Sequence, residues 1–255
     1  PSWDLLASYL CTDGLPIDES PLFDPRKPFK NRDPRCTMTI VEFNTEHCGF
    51  EYDPSPAAKT VMNYTTGKTQ SNQDTRIVNQ YSSYTGLLWK KGIDATWTVD
   101  QKVEQDYIIM RYADVLLERA EAYAQLNETG EAIKLVNKIR LRAKQSTGMI
   151  ANYPSDYGVK FNISTYNGSY SQEDALKIVK MERRLEMGME SERFFDLVRW
   201  GEAEKVLNKY FAEETNNCSI YGDAHFTANK NEYLPIPFSQ VAASDGHYTQ
   251  NIGGW

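Results

Sequence analysis

Residues 182–200 read ERRLEMGMESERFFDLVRW, and this stretch decides the fold of the chain. Three carboxylates in it stand four residues apart and therefore share one face of a predicted helix: Glu182, Glu186 and Glu190. Gly188 interrupts the pattern, and Ser191 is a candidate N-cap for a second helix that carries Arg193 and Arg199. A carboxylate row followed by an arginine row predicts two packed helices joined by ion pairs, because a buried charge without a partner is costly.

The same glutamates permit two functional interpretations. One is the carboxylate pair of a glycoside hydrolase, and the other is a metal site. Either needs an open cleft, and a hydrolase also needs two carboxyl groups with separated pKa values. The neighbouring arginines balance these acids, and no histidine stands at ligand spacing. The sequence therefore favours a structural ion network.

Two more helices follow from the periodicity upstream. Apolar residues recur at helical steps in 107–126, a turn is predicted at 127–130, and a second apolar stripe runs through 131–144. Five positions stand at the offsets of a tetratricopeptide unit: Leu116, Ala120, Tyr123, Ala132 and Val136. Such units need stacked neighbours, so partner units are expected in an N-terminal part outside this chain. Ser171 predicts the start of the helix that leads into 182–200.

Residues 182–200 also carry a family resemblance, because they closely resemble the signature helices of the SusD/RagB family of surface nutrient-binding lipoproteins. Further stretches agree: NRDPR at 31–35, YIIMRYADVLLERAEAYAQL at 107–126, YLPIPFSQV at 233–241 and QNIGGW at 250–255. The resemblance covers nearly the whole chain, and it is to the C-terminal portion of such proteins. It implies a mainly α-helical fold, a tetratricopeptide-like helical repeat scaffold (an α-α superhelix) with long loops and a few short strands.

We expect residues 1–255 to be the C-terminal portion of a SusD-like protein. By composition this portion divides into two regions. Residues 1–106 are rich in loops and strand-like segments and hold the candidate binding loops, whereas residues 107–255 are helical. The resemblance implies that the N-terminal half, the secretion signal and a lipidated cysteine lie upstream. The membrane would then be contacted only through that upstream lipid anchor, and the protein would be a surface-exposed lipoprotein of the bacterial outer membrane.

The first region is predicted in more detail from local composition. Residues 2–10 predict a short helix, and CTMTIVEF at 36–43 predicts a strand because threonine, isoleucine and valine favour strands. Residues 47–80 are interpreted as an irregular loop with one extended piece at 60–64. The aromatic-rich stretch 81–97 suits strands or a hairpin.

Charge and cysteine content exclude several classes of function. The chain has 28 basic and 35 acidic residues and a net charge of −7, which argues against nucleic acid or an anionic membrane surface as the main partner. No apolar run approaches a membrane span of about 20 residues. The four cysteines form no CxxC motif, so we expect no zinc site and no other cofactor. Cys36 and Cys48 are interpreted either as a disulfide across a hairpin or as free thiols.

Aromatic residues supply the remaining signal for a binding site. The apolar face of a sugar ring stacks on tryptophan or tyrosine, and the loops of the first region hold five candidates: Tyr64, Tyr81, Tyr84, Trp89 and Trp97. We predict that at least two of them are exposed on one open surface. For Trp89 the sequence favours packing beneath a strand, since large aromatic side chains are usually well buried. A second cluster is a weaker candidate: Tyr153, Tyr157, Tyr166 and Tyr170.

The resemblance implies a function without catalysis. Members of the family capture a glycan at the cell surface and pass it to a SusC-like TonB-dependent transporter, whereas RagB-like relatives serve peptide uptake. Two other classes remain open on the residues alone. A tetratricopeptide interaction scaffold would have a concave groove and no exposed aromatic platform, and a glycoside hydrolase would use two of the three glutamates across an open cleft.

Overall fold

The computed structural model of the chain describes residues 1–72, 85–93, 105–146 and 162–254. The chain divides into two units, Pro1–Glu190 and Ser191–Trp255. Both composition-defined regions, residues 1–106 and the start of 107–255, contribute to the first unit. Its described elements follow in chain order: α1 Trp3–Ser8, α2 Pro34–Thr39, β1 Thr45–His47, β2 Phe50–Tyr52, β3 Thr60–Asn63, β4 Lys68–Ser71, α3 Tyr112–Gln125, α4 Thr129–Gln145 and α5 Gln172–Glu186.

Three helices, α3, α4 and α5, pack on one another and form the larger core of the first unit. Small side chains at the contacts let the helix backbones approach closely, and the fully buried alanines are Ala120, Ala124, Ala132 and Ala175. Leu117, Val136 and Val179 fill the space between them. The mainly helical fold class predicted from the sequence is confirmed.

The boundaries of these helices depend on local chemistry. Helix α3 begins at Tyr112 rather than at residue 107, because Arg111 is extended and the four residues before it are exposed. The α3–α4 turn contains Asn127 at a φ of 62°, a conformation that asparagine tolerates better than most residues. Helix α5 begins as predicted at Ser171, whose hydroxyl accepts a hydrogen bond from the backbone N–H of Asp174 at 3.1 Å.

The strand predicted at 36–43 is wrong, because this stretch begins with helix α2. Asp33 accepts a hydrogen bond from the backbone N–H of Arg35 at 2.9 Å, and Pro34 occupies the first turn, where its missing N–H costs nothing. These start signals, together with the burial of Cys36 and Ile40 in a second core, override the strand preference of the stretch.

A four-stranded antiparallel sheet, in the order β1-β2-β3-β4, occupies the stretch interpreted as loop. The extended piece at 60–64 is confirmed as β3, whereas β1, β2 and β4 were missed. The strands have three or four residues each, and every residue of β4 is exposed. Such short polar strands lack the alternation by which a half-buried strand is recognised.

The second core joins the N-terminal residues to the end of α5. Leu6, Tyr9 and Leu185 are fully buried in it. The guanidinium of Arg32 is also fully buried and donates hydrogen bonds to the backbone oxygens of Leu6, Tyr9 and Pro28 at 2.6–2.7 Å. Backbone oxygens thus replace the water that this cation loses.

Of the two interpretations of Cys36 and Cys48, the structure supports free thiols. Cys36 is buried in the second core, and burial raises the pKa of its thiol to about 12. The side chain therefore behaves as a small apolar group.

The second unit contains α6 Arg193–Arg199, α7 Ala203–Glu214, a short 3₁₀ helix at Ser219–Tyr221 and α8 Phe238–Ala243. Leu197, Ala203 and Phe226 form its core. The second helix predicted in 182–200 is present, but Ser191 is not its cap, because the N-cap residue is Glu192.

We expect Ser171→Ala to lower the free energy of unfolding by about 1 kcal/mol, because the first turn of α5 loses its side-chain cap. Ser169→Ala is the matched control, since Ser169 is exposed and lies before the helix; its change should stay within about 0.5 kcal/mol. Urea denaturation followed by circular dichroism measures both values. Equal effects of the two substitutions would contradict the capping role.

Candidate functional site

The glutamates of α5 form a buried ion cluster rather than an open carboxylate pair. Both oxygens of Glu182 are occupied: Arg35 Nη1 donates to Oε1 at 2.7 Å and Arg140 Nη1 donates to Oε2 at 2.9 Å. All three side chains are at most 6% exposed. Because each charge meets an opposite charge at hydrogen-bond distance, the cluster offsets the loss of water around them.

Glu186 lies one turn further along the same face of α5 and meets three arginines. Its Oε1 accepts from Arg111 Nη1 at 2.6 Å and from Arg142 Nη2 at 2.5 Å, and its Oε2 accepts from Arg35 Nη1 at 3.2 Å. Arg111 also donates two hydrogen bonds to the carboxylate of Glu190, from Nε at 2.6 Å and from Nη2 at 2.7 Å. The ion cluster therefore joins α2, α4 and the residue before α3 to one face of α5.

The cluster changes the acidity of its members. Burial by itself would raise the pKa of Glu186, but Arg35, Arg142 and Arg111 outweigh burial and hold this pKa below its ordinary value. Burial likewise opposes ionisation of Glu190, yet hydrogen bonds from Arg111 and Lys91 lower the pKa of this carboxyl as well. Both carboxylates are therefore ionised at neutral pH and lack the raised pKa of a general acid.

The partners of the glutamates differ from those predicted. The sequence placed them at Arg193 and Arg199, which belong to α6 in the second unit. The contacting arginines are Arg35, Arg111, Arg140 and Arg142. Arg199 instead pairs with Asp196 within α6, at 3.1 Å. The true partners stand 42 to 151 residues away from their glutamates in sequence, so no helical spacing could have identified them.

Lys91 connects the ion cluster to segment 85–93, which also carries Trp89. Its ammonium donates to the backbone oxygen of Glu186 at 2.7 Å and forms an ion pair with Glu190. A cation at this position also interacts favourably with the carbonyl end of α5. Burial lowers the pKa of Lys91, and Glu190 partly offsets this effect. Segment 85–93 is thereby tied to the end of α5.

The backbone of the same segment pairs with the chain that leaves α2. The N–H of Val41 donates to the oxygen of Leu88 at 2.9 Å, and Ile40 forms a β-bridge with Trp89. Trp89 is 40% exposed, so the prediction that it packs beneath a strand is wrong. The ordered backbone presents part of the indole to solvent.

Tyr64 is 49% exposed and follows β3 in a tight turn. Its N–H donates to the oxygen of Gly49 at 2.8 Å, and the side chain of Asn63 accepts from the N–H groups of Thr65 and Thr66, each at 3.0 Å. Tyr64 and Trp89 thus have the exposure that a platform needs. Tyr81, Tyr84 and Trp97 lie outside the described residues, and a ligand-binding role for any of the five stays a prediction.

The later tyrosine cluster also lies only partly within the described residues. Tyr153 and Tyr157 lie outside them, whereas Tyr166 and Tyr170 lie inside. Tyr166 is half-buried beneath Arg140, whose guanidinium carbon is 4.6 Å from the ring centre, and it packs edge-on against Tyr170. Both rings adjoin the core formed by α3, α4 and α5, so their contacts are those of packing.

Within residues 1–72, 85–93, 105–146 and 162–254, no group of three or more histidine, cysteine, aspartate and glutamate side chains could hold a metal ion. No helix of the described parts of the chain combines the length and the apolar character that crossing a membrane requires.

Comparison with known proteins identifies the relatives of this chain. The model of the SusD family matches residues 1–255. The chain is 28% identical over 177 residues to SusD-like protein P2 of Formosa agariphila, a match that covers 69% of this chain and 30% of that protein. It is 36% identical over 104 residues to SusD-like protein P38 of the same organism, covering 41% of this chain and 19% of that one.

Solved structures give the same relationship. A crystal structure of a SusD-like carbohydrate-binding protein from Bacteroides fragilis matches with a TM-score of 0.57 and 25% identity, over 81% of this chain and 36% of that one. A SusD-like protein from the same species matches all of this chain and 47% of its own, with a TM-score of 0.62 and 19% identity, which shows the fold. The chain spans less than half the length of each of these relatives.

We predict that Glu186→Gln lowers the free energy of unfolding by about 3–5 kcal/mol, because three arginines lose the charge that they share. The matched control is Glu131→Gln, which removes an exposed pair with Lys134 and should cost about 1 kcal/mol or less. Urea denaturation at pH 7 compares the two. Similar small losses in both variants would contradict a stabilising ion cluster.

The lowered pKa values also predict how stability depends on pH. Glu186 and Glu190 have folded pKa values below 4.5, so the stability that they contribute is present above this pH and is lost as the pH falls through the folded values. We expect the free energy of unfolding to fall from pH 5 to pH 3, and to fall less in Glu190→Gln, which keeps only one of the two groups. If the unaltered protein and Glu190→Gln showed the same dependence of stability on pH, ionisation of Glu190 would not contribute to stability.

Proposed function

The chain belongs to the SusD family, and on that premise we propose that the protein binds a glycan at the bacterial cell surface without cleaving it. The observation that carries the proposal is the exposed indole of Trp89 on a backbone that is anchored at both sides. The name of one solved relative supports the ligand class, since that protein is described as carbohydrate-binding.

The chemistry of Trp89 and Tyr64 suits this ligand class. A sugar ring presents an apolar C–H face that stacks on an aromatic ring, while its hydroxyl groups need hydrogen-bonding neighbours. An anchored segment needs little reordering on binding, so less of the interaction energy is lost to ordering the protein. We propose these two residues, with Tyr81, Tyr84 and Trp97 as further candidates, as the glycan-contacting aromatics.

The ion cluster supports a function without hydrolysis. A glycoside hydrolase needs one carboxyl group that is protonated near neutral pH and a second that reaches the sugar. Glu182 and Glu186 are at most 2% exposed and are surrounded by arginines, and Glu186 has a lowered pKa. Their contacts suit scaffolding better than proton transfer.

The cellular role that we propose follows the family pattern. The protein would be held at the outer membrane as a surface lipoprotein, with the lipid on a part of the protein that precedes these residues. It would deliver its glycan to a SusC-like TonB-dependent transporter. The glycan and the transporter are both proposals, because the matched regions cover less than half of each relative.

We expect Trp89→Ala to weaken binding of a recognised oligosaccharide about tenfold, equivalent to ~1.4 kcal/mol, and Tyr64→Ala to weaken it by a smaller factor. The controls are Trp3→Ala and Tyr107→Ala, which remove exposed aromatic side chains elsewhere on the first unit. Isothermal titration calorimetry against a glycan panel measures affinity, and thermal melting checks the fold. Unchanged binding in both test variants, or binding of peptides alone, would refute the proposal.

Lack of hydrolysis is tested separately. Incubation of the protein with a glycan that it binds should release no reducing ends above a buffer control, because neither buried glutamate can reach the substrate. Release that disappears in Glu186→Gln, in protein that remains folded, would show that the chain is a hydrolase.

A further inference from the structure

A pocket of about 320 Å³ lies at the end of the sheet opposite the Tyr64 turn. Its lining includes the loop between β2 and β3, at Asp53 to Pro56, and the start of segment 85–93, at Thr85 and Gly86. Phe43 and Asn44, which lead into β1, also line the pocket. None of the contacts that define the ion cluster involves these residues, so the pocket is a separate feature of the first unit.

Hydrogen bonds hold the lining in place. The hydroxyl of Tyr52 donates to the backbone oxygen of Gly86 at 2.7 Å, which joins the sheet to segment 85–93. The side-chain amide of Asn72 donates to the oxygens of Asp53 and Ala58, at 2.8 and 3.1 Å, and closes the β2–β3 loop. The N–H of Asn44 donates to the oxygen of Tyr52 at 2.7 Å. The pocket is therefore preformed, which lowers the cost of binding.

Its lining combines apolar and polar groups. Phe43, Pro54 and Pro56 supply apolar surface, and Asn44, Asp53 and Ser55 supply polar groups. Among the described residues, Asp53 is the only ionisable side chain in the lining. Its Oδ1 accepts from the N–H of Ser55 at 2.9 Å, and its Oδ2 makes no hydrogen bond to a described residue. Within the described residues, the Asn44 amide is likewise available to a ligand.

We propose that this pocket is a saccharide subsite that takes one neutral sugar ring, a proposal that rests on the glycan-binding function above. The three apolar side chains match the C–H face of a ring, and the Asp53 carboxylate and the Asn44 amide match its hydroxyls. The carboxylate disfavours uronic acids and sulfated sugars, because like charges repel. The volume is at the small end of the range for ligand pockets, about 300–1,000 Å³, and so suits a single ring.

The position of the pocket connects it with Trp89. Gly86 lines the pocket and Trp89 follows three residues later on the same segment. Three residues of chain span at most about 11 Å, so a glycan of several rings can reach from the pocket to the indole. In this arrangement the pocket binds one ring of the chain and Trp89 stacks on another.

The test fills the pocket without substituting Tyr64 or Trp89. Ser55→Phe adds a ring at the lining, and Ala57→Phe adds the same ring to an exposed position of the same loop outside the lining. Two further variants change chemistry alone. Asp53→Asn removes the charge while keeping the oxygen that accepts from Ser55, and Asn44→Gly removes the amide while tolerating the φ of 60° at this position.

The probes are neutral gluco-, manno-, galacto- and xylo-oligosaccharides of one to six rings, together with oligogalacturonate, and calorimetry measures their affinities. We expect Ser55→Phe to weaken the best neutral probe tenfold or more, Asp53→Asn and Asn44→Gly to weaken it about three- to tenfold, and Ala57→Phe to bind as the unaltered protein does. Asp53→Asn should also narrow the preference for neutral over acidic probes. Melting temperatures show whether each variant folds. If Ser55→Phe does not fold, the affinities of Asp53→Asn and Asn44→Gly decide whether the pocket binds a sugar ring.

The outcomes separate the two proposals. If the unaltered protein binds a neutral probe and Trp89→Ala weakens binding, but every folded pocket variant binds normally, the pocket is not a subsite and the proposed function stands. If the unaltered protein binds none of the saccharides, the proposed function fails and the subsite with it. Preferential binding of oligogalacturonate would overturn the assignment of a neutral ring.

Discussion

Two buried carboxylates on one helix face constrain the whole first unit. Glu182 and Glu186 lose nearly all contact with water, and such a loss is tolerated only when opposite charges stand at hydrogen-bond distance. Those charges come from separate segments: Arg35 lies in the first turn of α2, Arg111 precedes α3, and Arg140 lies on α4. Removing any one segment would leave a buried carboxylate short of partners, so the ion cluster demands that all of them dock on α5 together.

The end of the same helix also positions a surface that suits a ligand. Lys91 reaches the last carbonyls of α5 and Glu190, and this contact brings segment 85–93 against the chain that leaves α2. Trp89 is exposed on that segment, and Gly86 forms part of a pocket with the sheet. The ion cluster and Lys91 thus hold loops in place. Binding residues of proteins commonly lie on loops that a rigid scaffold positions in this way.

Placement of the sheet completes this arrangement. Its strands are short and polar, and the hydrogen bond from Tyr52 to Gly86 together with the packing of Phe43 against Phe29 connects it to the second core. A small sheet with little apolar area of its own depends on such attachments for stability. The pocket lies where the sheet meets segment 85–93, so its shape is a consequence of this attachment rather than of any single strand.

Periodicity and capping residues in the sequence were sufficient to predict α3, α4 and α5, because helix formation depends on neighbours three and four residues apart. They were also sufficient to predict that the glutamates of 182–200 belong to an ion network. The strand-like residues after Pro34 form a helix because the local start signal at Asp33 and Pro34 acts together with burial in the second core. Tertiary structure alone decided that Arg35, 147 residues away, is the partner of Glu182. It also decided that Trp89 is exposed. Each of these outcomes depends on which distant segments pack together, and local spacing carries no information about contacts over such separations.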